Sequence, residues 1–279
     1  MPTTTSSTSA PASAPVTTSE IEAAIPGAGV RLRLGRFRVG GERGPLLITP
    51  ARMAHAAYLG RFAEAAARAG WDCFTLDFRG HGRSRPPSPR RPGWGFDVYV
   101  DQDLPAAVRA VCDASGRQDF CYIGHSLGGL AGVAAFGTGS APPPQRMVLV
   151  SASPWTNGGW RKRAIATLLV ALSRPFGYLP ARPFGLGADE PHGYLADLRR
   201  WVQTGEWRSA RGMDYLAATA SLEIPVLALH GRTDWMVRAP EAQILVDRLG
   251  AETLVAEGDH FGFFLNQQPA WERVLAWLG

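Results

Sequence analysis

Three residues of this chain have the types and the order that covalent chemistry would need: Ser126, Asp234 and His260. Ser126 lies in Gly124-His125-Ser126-Leu127-Gly128, a G-x-S-x-G pattern that follows the apolar run 120–123 and opens a stretch of small residues from Gly129 to Phe136. A serine in a sharp strand-to-helix turn is strained so that its hydroxyl stands clear. The residues two before and two after it must then lack side chains for strand and helix to approach. A hydroxyl is a poor nucleophile until a base takes its proton. Of six histidines, His260 alone sits in a loop between the last strand and the final helix, in Gly258-Asp259-His260-Phe261-Gly262-Phe263-Phe264, where apolar neighbours would hold an imidazole and exclude water.

The base in turn needs an acid to fix its tautomer and stabilise the imidazolium. Asp234 follows the strand that ends at Leu229 and is the residue placed to serve. Asp259 is excluded because neighbours in an extended loop point apart. The position directly after Val150, the other place for an acid, holds Ser151. An oxyanion formed by attack on a carbonyl requires two backbone N–H donors. The amide of Leu127, next to the nucleophile, would be one, and that of Arg52, in Pro50-Ala51-Arg52-Met53, the other. Met53, Trp235 and Phe263 are candidate walls of a substrate pocket.

The elements that must position these residues are legible as an alternation. Short apolar runs at 46–49, 73–77, 120–123, 147–150, 225–229 and 253–255 read as strands, and the segments at 58–69, 97–114, 241–249 and 270–278 read as helices. A further strand is expected over 30–39, followed by a hairpin turn at Gly40–Gly44. Unbroken apolar strands between helices imply a parallel sheet covered on both faces, an α/β architecture. Residues 153–221 interrupt the alternation and read as an inserted helical cap bearing Trp155, Trp160, Trp201 and Trp207. The core is expected over 23–152 and 222–279, and residues 1–22, rich in Thr, Ser, Pro and Ala, are expected to be disordered.

The set of motifs resembles the α/β-hydrolase superfamily over about residues 30–279. Besides the Ser…Asp…His order, Asp77-Phe78-Arg79-Gly80-His81-Gly82-Arg83-Ser84 looks like the superfamily's D-x-R-G-x-G-x-S loop. Pro50-Ala51, Tyr58 and the ending His260-Phe261-Gly262-Phe263-Phe264 are most similar to a group of bacterial hydrolases with a Pro-Ala oxyanion loop. The chain departs from that group's Pro-Ala-Met-Gly by having Arg52-Met53. The resemblance implies an α/β-hydrolase fold with an inserted cap, and hydrolysis of an ester, thioester or amide of a small to medium apolar acyl substrate through an acyl-enzyme. The same triad would serve acyl transfer or cofactor-free perhydrolysis, and a non-catalytic ligand-binding protein on this fold is the alternative from another class.

Composition narrows the remaining classes. The 279 residues are 46 % hydrophobic and 19 % charged, with a formal net charge of +5. The positive charge is almost all arginine, since Lys162 is the only lysine, and it is scattered. The densest clusters, Arg161-Lys162-Arg163 and Arg90-Arg91, lack the interleaved aromatics of a nucleic-acid groove, so no nucleic-acid partner is expected. Cys73, Cys112 and Cys121 are odd in number and read as reduced thiols. No spacing suggests a metal site, and no dinucleotide or phosphate-binding loop is present, so no cofactor is expected. Without a basic, apolar leader or a membrane-length apolar run, the expected location is cytoplasmic.

Overall fold

Each central strand of the protein sends alternate side chains into two separate cores. Leu47, Tyr122, Met147 and Leu149 join one cluster, while Leu46, Ile48, Cys121, Ile123, Val148 and Val150 join the other. This is the two-residue period of a strand buried on both faces. The computed structural model describes residues 14–40, 43–85, 93–156, 159–185, 187–266 and 268–279.

In chain order the elements begin with β1 (Thr17–Ile25), β2 (Val30–Arg38), β3 (Gly44–Thr49), α1 (Gly60–Arg68) and β4 (Trp71–Asp77). Next come α2 (Phe96–Val98), a π-helical turn at Tyr99–Asp103, α3 (Leu104–Ser115), β5 (Cys121–His125), α4 (Leu127–Gly137) and β6 (Arg146–Val150). A second group follows: α5 (Gly159–Ser173), β7 (Tyr178–Leu179), β8 (Glu190–Pro191), α6 (His192–Thr204) and α7 (Tyr215–Ala218). The chain closes with β9 (Val226–Gly231), α8 (Ala239–Leu249), β10 (Glu252–Ala256), α9 (Gly262–Asn266) and α10 (Gln268–Leu278). The main sheet has the order β1-β2-β4-β3-β5-β6-β9-β10. Pairing is antiparallel between β1 and β2 and between β2 and β4, and parallel across the rest. Helices α3 and α4 cover one face, with Leu104, Val108, Leu130 and Val133 in the first core. The other face is covered by α1 and α10, through Phe62, Ala66, Trp271 and Val274. This is the mostly parallel α/β sheet that the apolar runs imply.

Two expectations need correction. Residues 17–22 are not a disordered tail, because Thr17–Ile25 pairs antiparallel with the whole of β2, from Thr17↔Arg38 to Ile25↔Val30. The Thr/Ser composition hid a strand whose inward side, Ile21, Ala23 and Ile25, packs on the core. Residues 1–13 lie outside the described residues. Nor is Gly40–Gly44 a hairpin turn: β2 pairs with β1 and β4, and β3 with β4 and β5. Gly41, Glu42 and the Arg90-Arg91 cluster also lie outside the described residues. The segment between β6 and β9 holds helices α5, α6 and α7 and a two-stranded sheet, β7 with β8, apart from the main sheet. Among the described residues no helix is long and apolar enough to cross a membrane, and the three cysteines are free and buried.

Candidate active site

Ser126 joins β5 to α4 with φ 50° and ψ −108°, a backbone conformation that costs of order 1–3 kcal/mol outside glycine. Neighbouring strands and loops hold it there. Its amide donates to the Val150 carbonyl at 2.8 Å, and the Gly128 amide donates to the Pro50 carbonyl at 3.1 Å. The two glycines of the motif are required by contact. A Cβ on Gly124 would stand 2.5 Å from the Gly129 Cα, and one on Gly128 would stand 2.3 Å from the Thr49 hydroxyl.

His260 and Asp234, 26 residues apart, meet at the ends of β10 and β9: His260 Nδ1 donates to Asp234 Oδ2 at 2.9 Å. The other carboxylate oxygen accepts from the Met236 and Val237 amides, each at 2.9 Å, which fixes the side chain. Burial disfavours the charged carboxylate, but the bond and charge of His260, the Val237 amide and the Ser151 hydroxyl outweigh it and hold Asp234 below the usual carboxylate range. His260 Nε2 is buried and has no hydrogen-bond partner among the described residues. Ser126 and His260 line the same cavity. Asp259 takes no part, since its Oδ1 accepts from the Phe261 amide.

A hydrogen-bonded chain, unseen in the sequence, ties the loops around this pair. The Ala51 amide donates to the Tyr58 hydroxyl at 2.9 Å, and that hydroxyl donates to His125 Nδ1 at 2.7 Å. His125 Nε2–H then donates to the His260 carbonyl at 2.9 Å. The carbonyl can only accept, so His125 is the Nε2–H tautomer and its Nδ1 is the acceptor. Burial, then the adjacent His260 ring, push the His125 pKa well down and keep it neutral. The signal was present in the motif, where a histidine precedes the serine, but its partners lie 67 and 135 residues away.

The loop after β3 is pinned on both sides of Arg52. The Ala51 amide is taken by Tyr58, and the Met53 amide donates to Glu190 Oε1 at 2.8 Å. Met53 itself adopts φ 54°. Neither contact uses the intervening Arg52 amide. Leu127, the first residue of α4, has an amide without an intrahelical acceptor. Both residues line the Ser126 cavity. Glu190 comes from β8 and also bonds His81 Nε2 at 2.7 Å. Burial opposes a charged His81, yet the Glu190 carboxylate prevails and raises its pKa.

The Ser126 cavity encloses about 10 Å³, room for about one water. Leu127, Leu130, Trp155, Tyr194, Leu198, Met236 and Val237 supply most of its wall. The three expected wall residues stand elsewhere. Phe263 is buried in the second core against Phe62 and Phe264, and its carbonyl accepts from the Trp271 indole. Met53 contributes its amide to Glu190 rather than a side chain to the cavity. Trp235 is 71 % exposed and lines a neighbouring groove of about 720 Å³, which shares Trp155 and Met236 with the cavity. Of the four tryptophans assigned to the cap, Trp201 and Trp207 are buried core, Trp160 is exposed on the groove and Trp155 separates groove from cavity. No cluster of metal-ligating side chains occurs among the described residues.

Comparison with known proteins agrees with this fold. The family described as "alpha/beta hydrolase fold" matches residues 44–171. The chain is 29 % identical over 193 residues to the bifunctional esterase/perhydrolase DCH of Acinetobacter calcoaceticus, a match covering 60 % of this chain and 66 % of that protein. It is 29 % identical over 217 residues to a monoacylglycerol lipase of Mycolicibacterium smegmatis, covering 71 % and 74 % respectively. Among solved structures, a bromoperoxidase from Bacillus anthracis superposes with a TM-score of 0.64 at 17 % identity, over 93 % of this chain and 99 % of that one, a likeness of fold alone. With the nucleophile turn, the sheet order and these matches together, the chain has the α/β-hydrolase fold and is similar in sequence to esterases and lipases.

Proposed function

We propose that the protein is a serine hydrolase that cleaves carboxylic esters, or thioesters and amides of the same shape, through an acyl-enzyme. One observation carries the reading: His260 has Nδ1 bound to Asp234, while Nε2 is buried without a partner among the described residues, and His260 and Ser126 line one cavity. In this reading Nε2 takes the Ser126 proton as Oγ attacks the carbonyl carbon, and Asp234 stabilises the imidazolium. The negative oxygen is received by the Leu127 and Arg52 amides, each worth about 2.7–4 kcal/mol of barrier. Collapse expels the alcohol, which takes the proton from His260. Water then gives its proton to His260, attacks the acyl carbon and releases the acid, with the proton returning to Ser126. The 153–221 segment acts as a cap, and the apolar walls from Tyr194, Leu198 and Trp155 favour an acyl chain. The protein needs no cofactor in this scheme.

Hydrolysis of p-nitrophenyl esters of graded chain length, with fluorophosphonate labelling, tests the reading. Turnover and labelling by the wild type, both lost in Ser126→Ala, are expected. A folded wild type that does neither would move the ligand-binding alternative to the front. Peroxide offered with the ester tests perhydrolysis, the second activity in the name of the Acinetobacter relative.

A further inference from the structure

Beside Ser126, His260, Ser153 and the Tyr194 hydroxyl, the mostly apolar wall of the Ser126 cavity carries one arginine, Arg52. Arg52 is half-buried, and its guanidinium lies over the Trp155 ring at 4.1 Å from the centroid. Among the described residues it makes no ion pair. A guanidinium drawn from water into an apolar wall is costly without an anionic partner. The indole face and a hydrogen bond to the Tyr194 hydroxyl repay part of that cost, but the fork meets no carboxylate among the described residues. Arg52 and Lys162 both approach Trp155, with Lys162 Nζ at 4.6 Å. Lys162 is satisfied by Glu241 at 2.7 Å, whereas Arg52 has no ion pair among the described residues. The adjoining groove is biased the same way: its lining has Arg161, Lys162 and Arg238 against the single carboxylate of Glu241. Positive charge thus lines the groove beside the cavity, and Arg52, on the cavity wall, is the charge without an ion-pair partner among the described residues.

We propose that the enzyme selects esters whose acyl chain ends in a carboxylate, and that the Arg52 guanidinium is the group that binds it. This rests on the ester-hydrolase reading above and deepens it. Arg52 would then have two separate parts in one residue, its amide facing the oxyanion and its side chain setting specificity. A planar fork matches a carboxylate with two parallel N–H···O bonds, which a lysine cannot reproduce.

The test is the ratio of kcat/KM for monomethyl esters of linear dicarboxylic acids, succinate to suberate, over that for neutral methyl esters of matched length. The ratio cancels any general loss of activity, including one from disturbing the Arg52 amide. In the wild type it should exceed one for at least one chain length. In Arg52→Gln that ratio should fall about tenfold or more, the size of a lost charge-assisted contact, with partial recovery in Arg52→Lys. A merely structural role for Arg52 would lower both esters alike. As a measurement independent of turnover, Ser126→Ala should bind the free dicarboxylate by calorimetry, and Ser126→Ala/Arg52→Gln should bind it about tenfold more weakly. A wild-type preference for neutral esters at every length, or a ratio unmoved in Arg52→Gln, overturns the inference and leaves ester hydrolysis standing. Hydrolysis of neither series overturns the function itself, and the inference with it.

Discussion

The ring of His125 donates to the backbone carbonyl of His260 at 2.9 Å, so the residue before the nucleophile holds the loop that carries the base. Its other nitrogen accepts from Tyr58, which in turn holds Ala51 beside the oxyanion loop. One neutral imidazole therefore spaces three loops that come from distant parts of the chain.

Tyr58→Phe removes the middle of this chain and leaves the Ala51 amide and His125 Nδ1 without partners. The expected cost is about 1–3 kcal/mol of stability, read from urea unfolding. If the loops are positioned through this bond, kcat should fall more than KM rises. Unchanged kcat and stability would show that water replaces the hydroxyl at no cost.

His125 also predicts a pH effect. Its folded pKa is depressed well below the ordinary 6.5, chiefly by burial. Above pH 6.5 both folded and unfolded rings are neutral and contribute nothing. Below it the unfolded chain takes a proton that the folded one refuses, so stability falls as pH falls, by about 1.4 kcal/mol per unit. His81, with a raised pKa, acts in the opposite direction, but it is common to both proteins compared. Unfolding measured at about pH 7 and pH 5.5 should show a shallower loss in His125→Gln than in the wild type, by roughly one proton's worth. Parallel losses would mean that the folded ring titrates normally.

The two neighbouring aspartates should separate cleanly. Asp234→Asn keeps the shape but fixes the wrong tautomer of His260, and kcat should drop by roughly 10³–10⁴. Asp259→Asn touches only the cap on the Phe261 amide and should leave kcat nearly unchanged. Steady-state kinetics on any accepted ester decides it, and equal losses would reject Asp234 as the orienting acid.

Lys162 and Glu241 form a buried ion pair between α5 and α8, with side chains 9 % and 3 % exposed. The Lys162 ammonium also donates to the Met236 carbonyl on the cavity wall. Lys162→Met should cost about 3 kcal/mol, the lower end for breaking a buried pair, because Arg238 still holds the Glu241 carboxylate. Thermal and urea unfolding measure it, and a cost near zero would show that the pair does not lock the inserted segment to the core.

What the sequence determined by itself is what local pattern can encode. Strands such as Leu46–Thr49 announce themselves because a strand buried on both faces has no polar side to show. Gly124 precedes Ser126 because a Cβ there would collide with Gly129, a constraint that sits within five residues of the serine, while Gly128 is required by Thr49 on β3, yet the G-x-S-x-G pattern itself is local. The order of Ser126, Asp234 and His260 follows from which strand ends they occupy, and strand order is readable. Composition misled at 17–22, where Thr and Ser suit a disordered tail and an edge strand equally, and only the β2 backbone decides between them. The tertiary structure alone decided which atoms meet across long separations. Glu190 reaches Met53 over 137 positions and His81 over 109, and no periodicity records such contacts. It also moved the expected walls Met53, Trp235 and Phe263 out of the cavity and put Trp155, Tyr194 and Leu198 in their place. Side-chain direction depends on how the inserted segment packs over the sheet, and that packing is settled by the whole core together.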